Sequence, residues 1–328
     1  MHTGKRYCLP EFLLWTRRDI YVIVILSTVP ALLYKWVGWH WVALPWVPIA
    51  MVGTAAAFII GFKNTQTYNR LWEARQIWGA IVNTSRTWGI ASRDFIHSDK
   101  ETHTRLIYRH CAWLTALRYQ LRETRGWENS SRPHFKEYRK HYSVPEWETP
   151  LEDELRKFLS DEEMAYVLSK KNRATQIIAL QSKHIKQLRQ KDAVGSFEYV
   201  ELEQALSNLY DHQGRCERIK NFPYPRQFAS ITFFFVWMFV ILLPMGMLGE
   251  FARIHPDCAW FAIPFATIVS WVFTAMDKVG EATENPFEGG PNDIPMANMS
   301  RMIEIDLREM LEETELPPPI TATNNILM

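Results

Sequence analysis

Thr54, Phe58 and Phe62 recur every four residues in a run that carries no charged side chain. Residues four apart share one face of an α-helix, so the three side chains would form a single stripe. If several copies of this helix surrounded an axis, the phenylalanines would become stacked apolar rings, a constriction that can gate ion flow by dewetting. The stripe could instead face lipid or pack between helices, and the pattern alone leaves both interpretations open.

The helix that carries this stripe is predicted to continue beyond its apolar part. No proline interrupts residues 55–89, so one helix of about 35 residues can extend for roughly 50 Å, well past a hydrocarbon core of about 30 Å. Arg70, Glu73 and Arg75 lie on the polar extension. These charges could line a vestibule, or Glu73 could simply pair with Arg70 three positions away.

The elements around this helix follow from a strong local partition of the chain. A net charge of +1 and a mean hydropathy of −0.19 suit a soluble protein, yet four apolar runs occupy residues 20–37, 41–62, 228–249 and 258–276. Each run is close to the roughly 20 residues of a membrane-spanning helix. The segment between the second and third runs is polar. The sequence therefore predicts an all-α membrane protein with a helical polar domain.

Within the polar domain, helices are predicted at residues 102–122, 161–190 and 197–221, with a loop region at 127–150. Another helix is expected over about 293–313, capped by Asn292 or Asp293, and the last residues are expected to be loose. On helix 102–122 the expected buried stripe is Leu106, Cys111, Leu114, Leu117 and Leu121.

The basic residues predict the orientation in the membrane. Lys5, Arg6, Arg17 and Arg18 precede the first apolar run, and the positive-inside rule places such a cluster in the cytosol. An even number of spans puts both termini on that side. The predicted division is a cytosolic segment 1–19, spans one and two in 20–62, a cytosolic domain 63–227, spans three and four in 228–276, and a cytosolic segment 277–328.

Signatures of enzymes and of nucleic-acid binding are missing from the sequence. It contains no GxxxxGK[ST], GxGxxG or HExxH motif, and its four cysteines show no CxxC spacing. Charges in the polar segment are balanced, so there is no basic footprint for nucleic acid. The ten histidines are dispersed, which favours surface or core roles over a metal site. We expect neither catalysis nor a cofactor.

Three sequence blocks together resemble the bestrophin family in its bacterial branch. Residues 68–75 read YNRLWEAR and are followed by WGAIVN at 78–83, residues 213–219 read QGRCERI, and residues 284–295 read ENPFEGGPNDIP. The resemblance covers most of the chain from residue 20 to 313. It implies a homopentameric ion channel in the bacterial inner membrane, with four membrane helices per subunit, a helical cytosolic domain and the second helix lining a central pore.

The resemblance also implies roles for single residues. The family's hydrophobic neck falls on Thr54, Phe58 and Phe62, and the threonine departs from the family pattern, because a hydroxyl should make the outermost ring easier to wet. Ile177 or Ile178 corresponds to a second, cytosolic constriction. If the charges on the polar extension of this helix line the vestibule of such a channel, Arg70 would favour anions and Glu73 cations.

Calcium binding is a weaker implication of the resemblance. Animal members hold calcium in an acidic clasp after the Asn-Pro-Phe motif, where this chain offers only Glu288 and Asp293. Calcium takes six to eight oxygen ligands, so the site would be poor, and Asp293 is better suited to a helix cap.

The predicted function is passive conduction of small monovalent ions by a pentamer in a lipid bilayer. Chloride-type anions, as in animal relatives, and monovalent cations, as in some bacterial relatives, both remain open. Two other interpretations are a transporter, which needs discontinuous spans, and a membrane-anchored scaffold, which predicts no conductance.

Overall fold

The computed structural model describes all 328 residues, apart from the side chain of Ser131. Its regular structure is helical, and within the described chain the β pairings are isolated bridges only. The predicted all-α class is confirmed. The α-helices are α1 Leu9–Leu32, α2 Trp46–Asp94, α3 Lys100–Arg122, α4 Pro133–Tyr138, α5 Pro145–Glu148, α6 Leu151–Leu155, α7 Asp161–Leu168, α8 Arg173–Gln190, α9 Ser196–Asn221, α10 Arg226–Ile254, α11 Ala262–Glu281 and α12 Met296–Met310.

Four helical segments are long and apolar enough to cross a membrane, as predicted. They are Leu9–Val37, His40–Asp94, Arg226–Ile254 and Pro256–Glu281. The first begins well before residue 20, because the residues ahead of the apolar run form a good helix start. Glu11 accepts a hydrogen bond from the backbone N–H of Cys8 at 3.2 Å, and Pro10 stands in the first turn.

The chain divides into two compact units. The first, which we call the apolar unit, comprises Gly4–Arg70 and Pro223–Glu284. In it α1, α10 and α11 pack against one another, and α2 buries Ile49 and Ala56 in a cluster with Phe239 of α10. The helix α10 continues unbroken through Pro244.

The second, which we call the polar unit, comprises Met1–Thr3, Leu71–Phe222 and Asn285–Met328. Its central element is α3, which packs against α6, α8, α9 and α12. All five members of the stripe predicted on α3 are buried, so that prediction is confirmed. The helix has buried residues on its other faces too, including His110 and Trp113, because neighbouring helices cover it on several sides.

Several local predictions for the polar unit were wrong. Residues 161–190 form two helices, because the Asn172 side chain accepts the N–H of Thr175 at 3.0 Å and so caps a separate α8. The region 127–150 contains the short helices α4 and α5. The last residues are packed rather than loose: Ile326 and Met328 are buried in one cluster with Tyr142 and Val144.

Candidate functional site

The predicted stripe lies on an exposed face of α2. Thr54, Phe58 and Phe62 are all exposed in the single chain, with 77% of Phe58 and 43% of Phe62 accessible. Large apolar side chains in a row are costly to leave in water, so a face of this kind needs a cover: lipid, another helix or another copy of the chain. The structure thus brings the three residues together on one surface.

The polar atom of this stripe is already bonded within its own helix. The Thr54 hydroxyl donates to the carbonyl oxygen of Ala50 at 2.9 Å. Its proton is therefore satisfied, and only the oxygen lone pairs remain for water. At the other end of the stripe, the Phe62 ring contacts the Phe228 ring, with centroids 5.6 Å apart.

The opposite face of α2 is buried at alternating spacings of four and three residues. The members of this buried stripe in the apolar unit are Ile49, Gly53, Ala56, Ile60, Lys63 and Thr67. Gly53 is required for the closest approach, since a Cβ there would lie 2.6 Å from Cε2 of Phe239. Gly53 and Ala56 thus permit close packing, whereas Ala55 and Ala57 are exposed.

The charged residues on the lower part of α2 differ in their surroundings. Arg70 is half-buried, Arg75 is exposed, and Glu73 accepts a hydrogen bond from the guanidinium of Arg218 on α9. The cation that bonds Glu73 comes from a residue distant in sequence, which local spacing does not reveal. Glu73 is thereby partly neutralised.

The two candidates for a second constriction are not equivalent. Ile177 is completely buried in the core of the polar unit. Ile178, its neighbour on α8, is only partly buried. A fully buried side chain has no surface with which to line a passage, so of the two only Ile178 remains a candidate.

Glu288 and Asp293 are both buried within the polar unit and are bonded to donors there. Glu288 accepts the backbone N–H of Asn129 at 2.8 Å and the side-chain amide of Asn285 at 3.3 Å. Asp293 accepts the N–H of Gly289 at 2.7 Å and a guanidinium N–H of Arg122 at 3.3 Å. It does not cap α12, whose N-cap position is Pro295. The prediction of Asp293 as a helix cap was therefore wrong.

This arrangement does not fit a calcium ion. Burial raises the pKa of Asp293 to about 6 against the opposing effect of the Arg122 guanidinium. Asp293 is held by the Arg122 guanidinium and Glu288 is engaged by N–H donors, so neither offers a free carboxylate to a cation that takes six to eight oxygen ligands. Among the described residues no group of three His, Cys, Asp or Glu side chains could hold a metal.

Pattern reasoning missed two buried ion pairs of the apolar unit. Lys63 of α2 bonds Asp277 of α11 at 2.7 Å, and Lys278 of α11 bonds Asp19 of α1 at 2.7 Å. A signal was present, because a charged residue within or next to an apolar run is costly unless it has a partner, and such residues mark functional or register-setting positions. The partners themselves are not visible from local spacing.

A family model and several known proteins match this chain in sequence. A family model described as Bacterial/Fungal Bestrophin protein matches residues 14–309. A curated relative from Escherichia coli K12, named voltage-dependent anion channel-forming protein YneE, is 25% identical over 285 residues, covering 83% of this chain and 79% of that protein. A relative of the same descriptive name from Ralstonia nicotianae, RSc3414, is 25% identical over 297 residues, covering 88% of this chain and 86% of its own length.

Solved structures show the same fold. The crystal structure of a bacterial bestrophin homolog from Klebsiella pneumoniae superimposes with a TM-score of 0.77 at 24% identity, covering 91% of this chain and 99% of that one. The helices described above, including the long α2, therefore follow an architecture that is already known.

Proposed function

Because the chain belongs to the bacterial and fungal bestrophin family, we propose that it forms a homopentameric channel for small monovalent ions in the bacterial inner membrane. The observation that carries the proposal is the pair of opposite faces on α2. One face is buried against its own unit, and the other presents Thr54, Phe58 and Phe62 uncovered. The relatives named as anion channel-forming proteins support the same activity.

In this proposal the exposed stripe of each copy faces a shared axis and forms the neck of the pore. Five copies of Phe58 and of Phe62 then make two apolar rings, with a ring of Thr54 outside them. Apolar rings of this kind control flow by excluding water from the passage, so they gate without holding the ion. The exposed face is thereby covered by other copies of the same chain.

We propose that the permeant ions are chloride-type anions. Among the candidate vestibule charges, Glu73 is engaged by Arg218, whereas Arg75 is exposed. The surplus of positive charge would raise the local concentration of anions. Conduction of monovalent cations is the alternative, and the sign of the reversal potential distinguishes the two.

The orientation follows from the basic N-terminal residues. Both termini and the polar unit lie in the cytosol, in a lipid bilayer crossed by the four apolar helices. Ile178, which is partly buried in the single chain, forms the second constriction on the cytosolic side.

The alternatives have less support. A transporter is expected to have discontinuous spans, yet α10 is unbroken at Pro244, and Pro48 and Pro264 lie in the first turns of α2 and α11. A membrane-anchored scaffold would leave the exposed stripe on α2 without a role, and it predicts no current.

Purified full-length protein in a planar bilayer tests the proposal. Under a KCl gradient we expect single-channel steps whose reversal potential lies toward the chloride equilibrium potential. Phe58→Ala should enlarge the unitary current, whereas Phe265→Ala, at an exposed phenylalanine of α11, should leave it unchanged. Silence of the wild type in repeated reconstitutions, with a pentameric mass confirmed in detergent, would contradict the proposal.

A further inference from the structure

Lys63 occupies a position in α2 where the helix pattern calls for an apolar residue. It belongs to the buried stripe defined above, between Ile60 and Thr67, and only 5% of it is accessible. It also directly follows Phe62, the innermost residue of the proposed neck. A lysine at such a core position is rare unless its charge is matched, and a single polar residue in a helix–helix seam is a known means of fixing register.

Three neighbouring contacts join this part of α2 to α11 and to the turn that follows α11. The Lys63 ammonium donates to the Asp277 carboxylate at 2.7 Å, and the Asn64 side-chain amide donates to the carbonyl oxygen of Met276 at 3.0 Å. The Thr283 hydroxyl donates to the Thr67 hydroxyl oxygen at 3.0 Å. All of them lie on the side of α2 that faces away from Phe58.

The backbone of α11 is shaped for this contact. A Cβ at Gly280 would lie 2.2 Å from Oδ1 of Asn64, so a larger residue would displace the amide from its present position. The residue after Asp277, Lys278, bonds Asp19 of α1 at 2.7 Å. Successive residues of α11 therefore fix it to α2 and to α1, and the mobility of the segment that holds Asp277 is restricted from both sides.

We propose that Lys63 and Asp277 are positioning residues for the neck: their bond sets the rotation and height of α2, and so the direction in which Phe58 and Phe62 point. The inference rests on the proposed channel function. A slip of one residue along α2 would turn the helix by about 100° and remove the phenylalanines from the axis. An apolar pair at these positions would still pack, but it would not select one register over its neighbours.

Single-channel recording of full-length variants tests this role. Lys63→Met should change the open probability or the unitary current by about fivefold or more, the low end of typical coupling between linked sites. The charge swap Lys63→Asp with Asp277→Lys should restore most of the wild-type behaviour. The matched control is Lys35→Met. It removes another lysine–aspartate pair, in which Lys35 lies 2.9 Å from the exposed Asp257, and neither residue belongs to α2. It should leave the current unchanged.

The pentameric mass of each variant in detergent separates positioning from assembly. The inference would be overturned if Lys63→Met pentamers gave wild-type currents. It would also be overturned if the charge swap restored no more of the wild-type current than the single variant does. Should Lys63→Met fail to assemble, Asp277→Asn removes the charge of the partner while keeping a side chain of the same shape, and wild-type currents in that variant would equally overturn it. A silent wild type would instead contradict the proposed channel function.

Discussion

Thr54 differs from Phe58 and Phe62 in chemistry but shares their exposed face. The sequence predicted the stripe from its four-residue spacing, and the structure shows all three residues uncovered. The bond from the Thr54 hydroxyl to Ala50 was not predicted, and it limits how strongly this residue can attract water. The departure from the family pattern is therefore smaller than the change of residue type suggests.

We expect Thr54→Val to lower the unitary current by a factor on the order of two to three, because valine has the same shape without the oxygen that helps to wet the outermost ring. Thr28→Val is the matched control, since the Thr28 hydroxyl of α1 makes the same kind of bond, to the carbonyl of Val24 at 2.7 Å. Single-channel recording measures both. An unchanged current in Thr54→Val would mean that this ring does not limit conduction.

His110 is a core histidine, as its dispersed position in the sequence favoured. It is buried on α3 and shares a hydrogen bond of 2.9 Å with the Ser85 hydroxyl. Burial lowers its pKa to about 3, far below the usual value of 6.5. Burial likewise lowers the pKa of His184 to about 4. Both residues are therefore held neutral in the folded protein.

These pKa values predict that acid destabilises the polar unit. Between pH 6.5 and 3 the unfolded chain binds a proton at His110 that the folded chain does not, so stability is lost as the pH falls through this window. At pH 5 the loss from His110 is about 2 kcal/mol. The melting temperature of His110→Gln should thus depend less on pH than that of the wild type. The variant His97→Gln, at an exposed histidine, should show the same pH dependence as the wild type. Equal pH dependence in all three would contradict the burial of a neutral His110.

Among the helices, α2 shows which features can be predicted from local sequence. Its continuity follows from the absence of proline after residue 48, and the observed helix Trp46–Asp94 extends beyond the predicted 55–89 at both ends. The exposed and buried faces follow from spacing and side-chain size. The identity of the packing partner does not, since Phe239 lies far away in the sequence.

Two glycines of α2 provide a test of that packing. Gly53→Ala should lower the free energy of unfolding by about 1–3 kcal/mol, because the added methyl group would collide with the Phe239 ring. Gly61→Ala has no atom within 4 Å of the new Cβ and should be neutral or stabilising by about 0.5–1 kcal/mol. Thermal unfolding in detergent compares the two, and equal effects would mean that α2 does not pack on α10 as described.

Predictions failed at one overlooked helix cap and at contacts between distant residues. The break before α8 depends on a single cap at Asn172 that periodicity in residues 161–190 does not reveal. Glu73 meets Arg218 only after the polar unit has folded. The C-terminal residues were expected to be loose. Instead, the backbone N–H of Asn298 donates to the carbonyl oxygen of Met328 at 2.8 Å. The Asn172 cap is a local signal that was overlooked, since asparagine is a favoured N-cap residue, whereas the other two contacts have no local signature.

For the whole molecule, the decisive feature is an apolar face that a single chain leaves uncovered. Lipid can cover the exposed apolar side chains of α1, α10 and α11, which carry no polar stripe of their own. Arg70 and Arg75 lie further along the same helix, and lipid is a poor cover for those charges. In the proposed pentamer, the phenylalanines of neighbouring copies shield one another from water at the shared axis, and the charges meet solvent beyond the neck.

The most direct test is modification of a cysteine at the proposed neck. Cys8 and Cys258 are first replaced by serine, because a thiol reagent could reach them. The other two cysteines are buried and stay in place. In single channels of Phe58→Cys, a small charged thiol reagent should change the unitary current in discrete steps, at most one for each copy around the axis. In Ile268→Cys, at an exposed residue of α11, it should change nothing. Steps in both variants, or an unmodified current in Phe58→Cys, would contradict a pore lined by this face of α2.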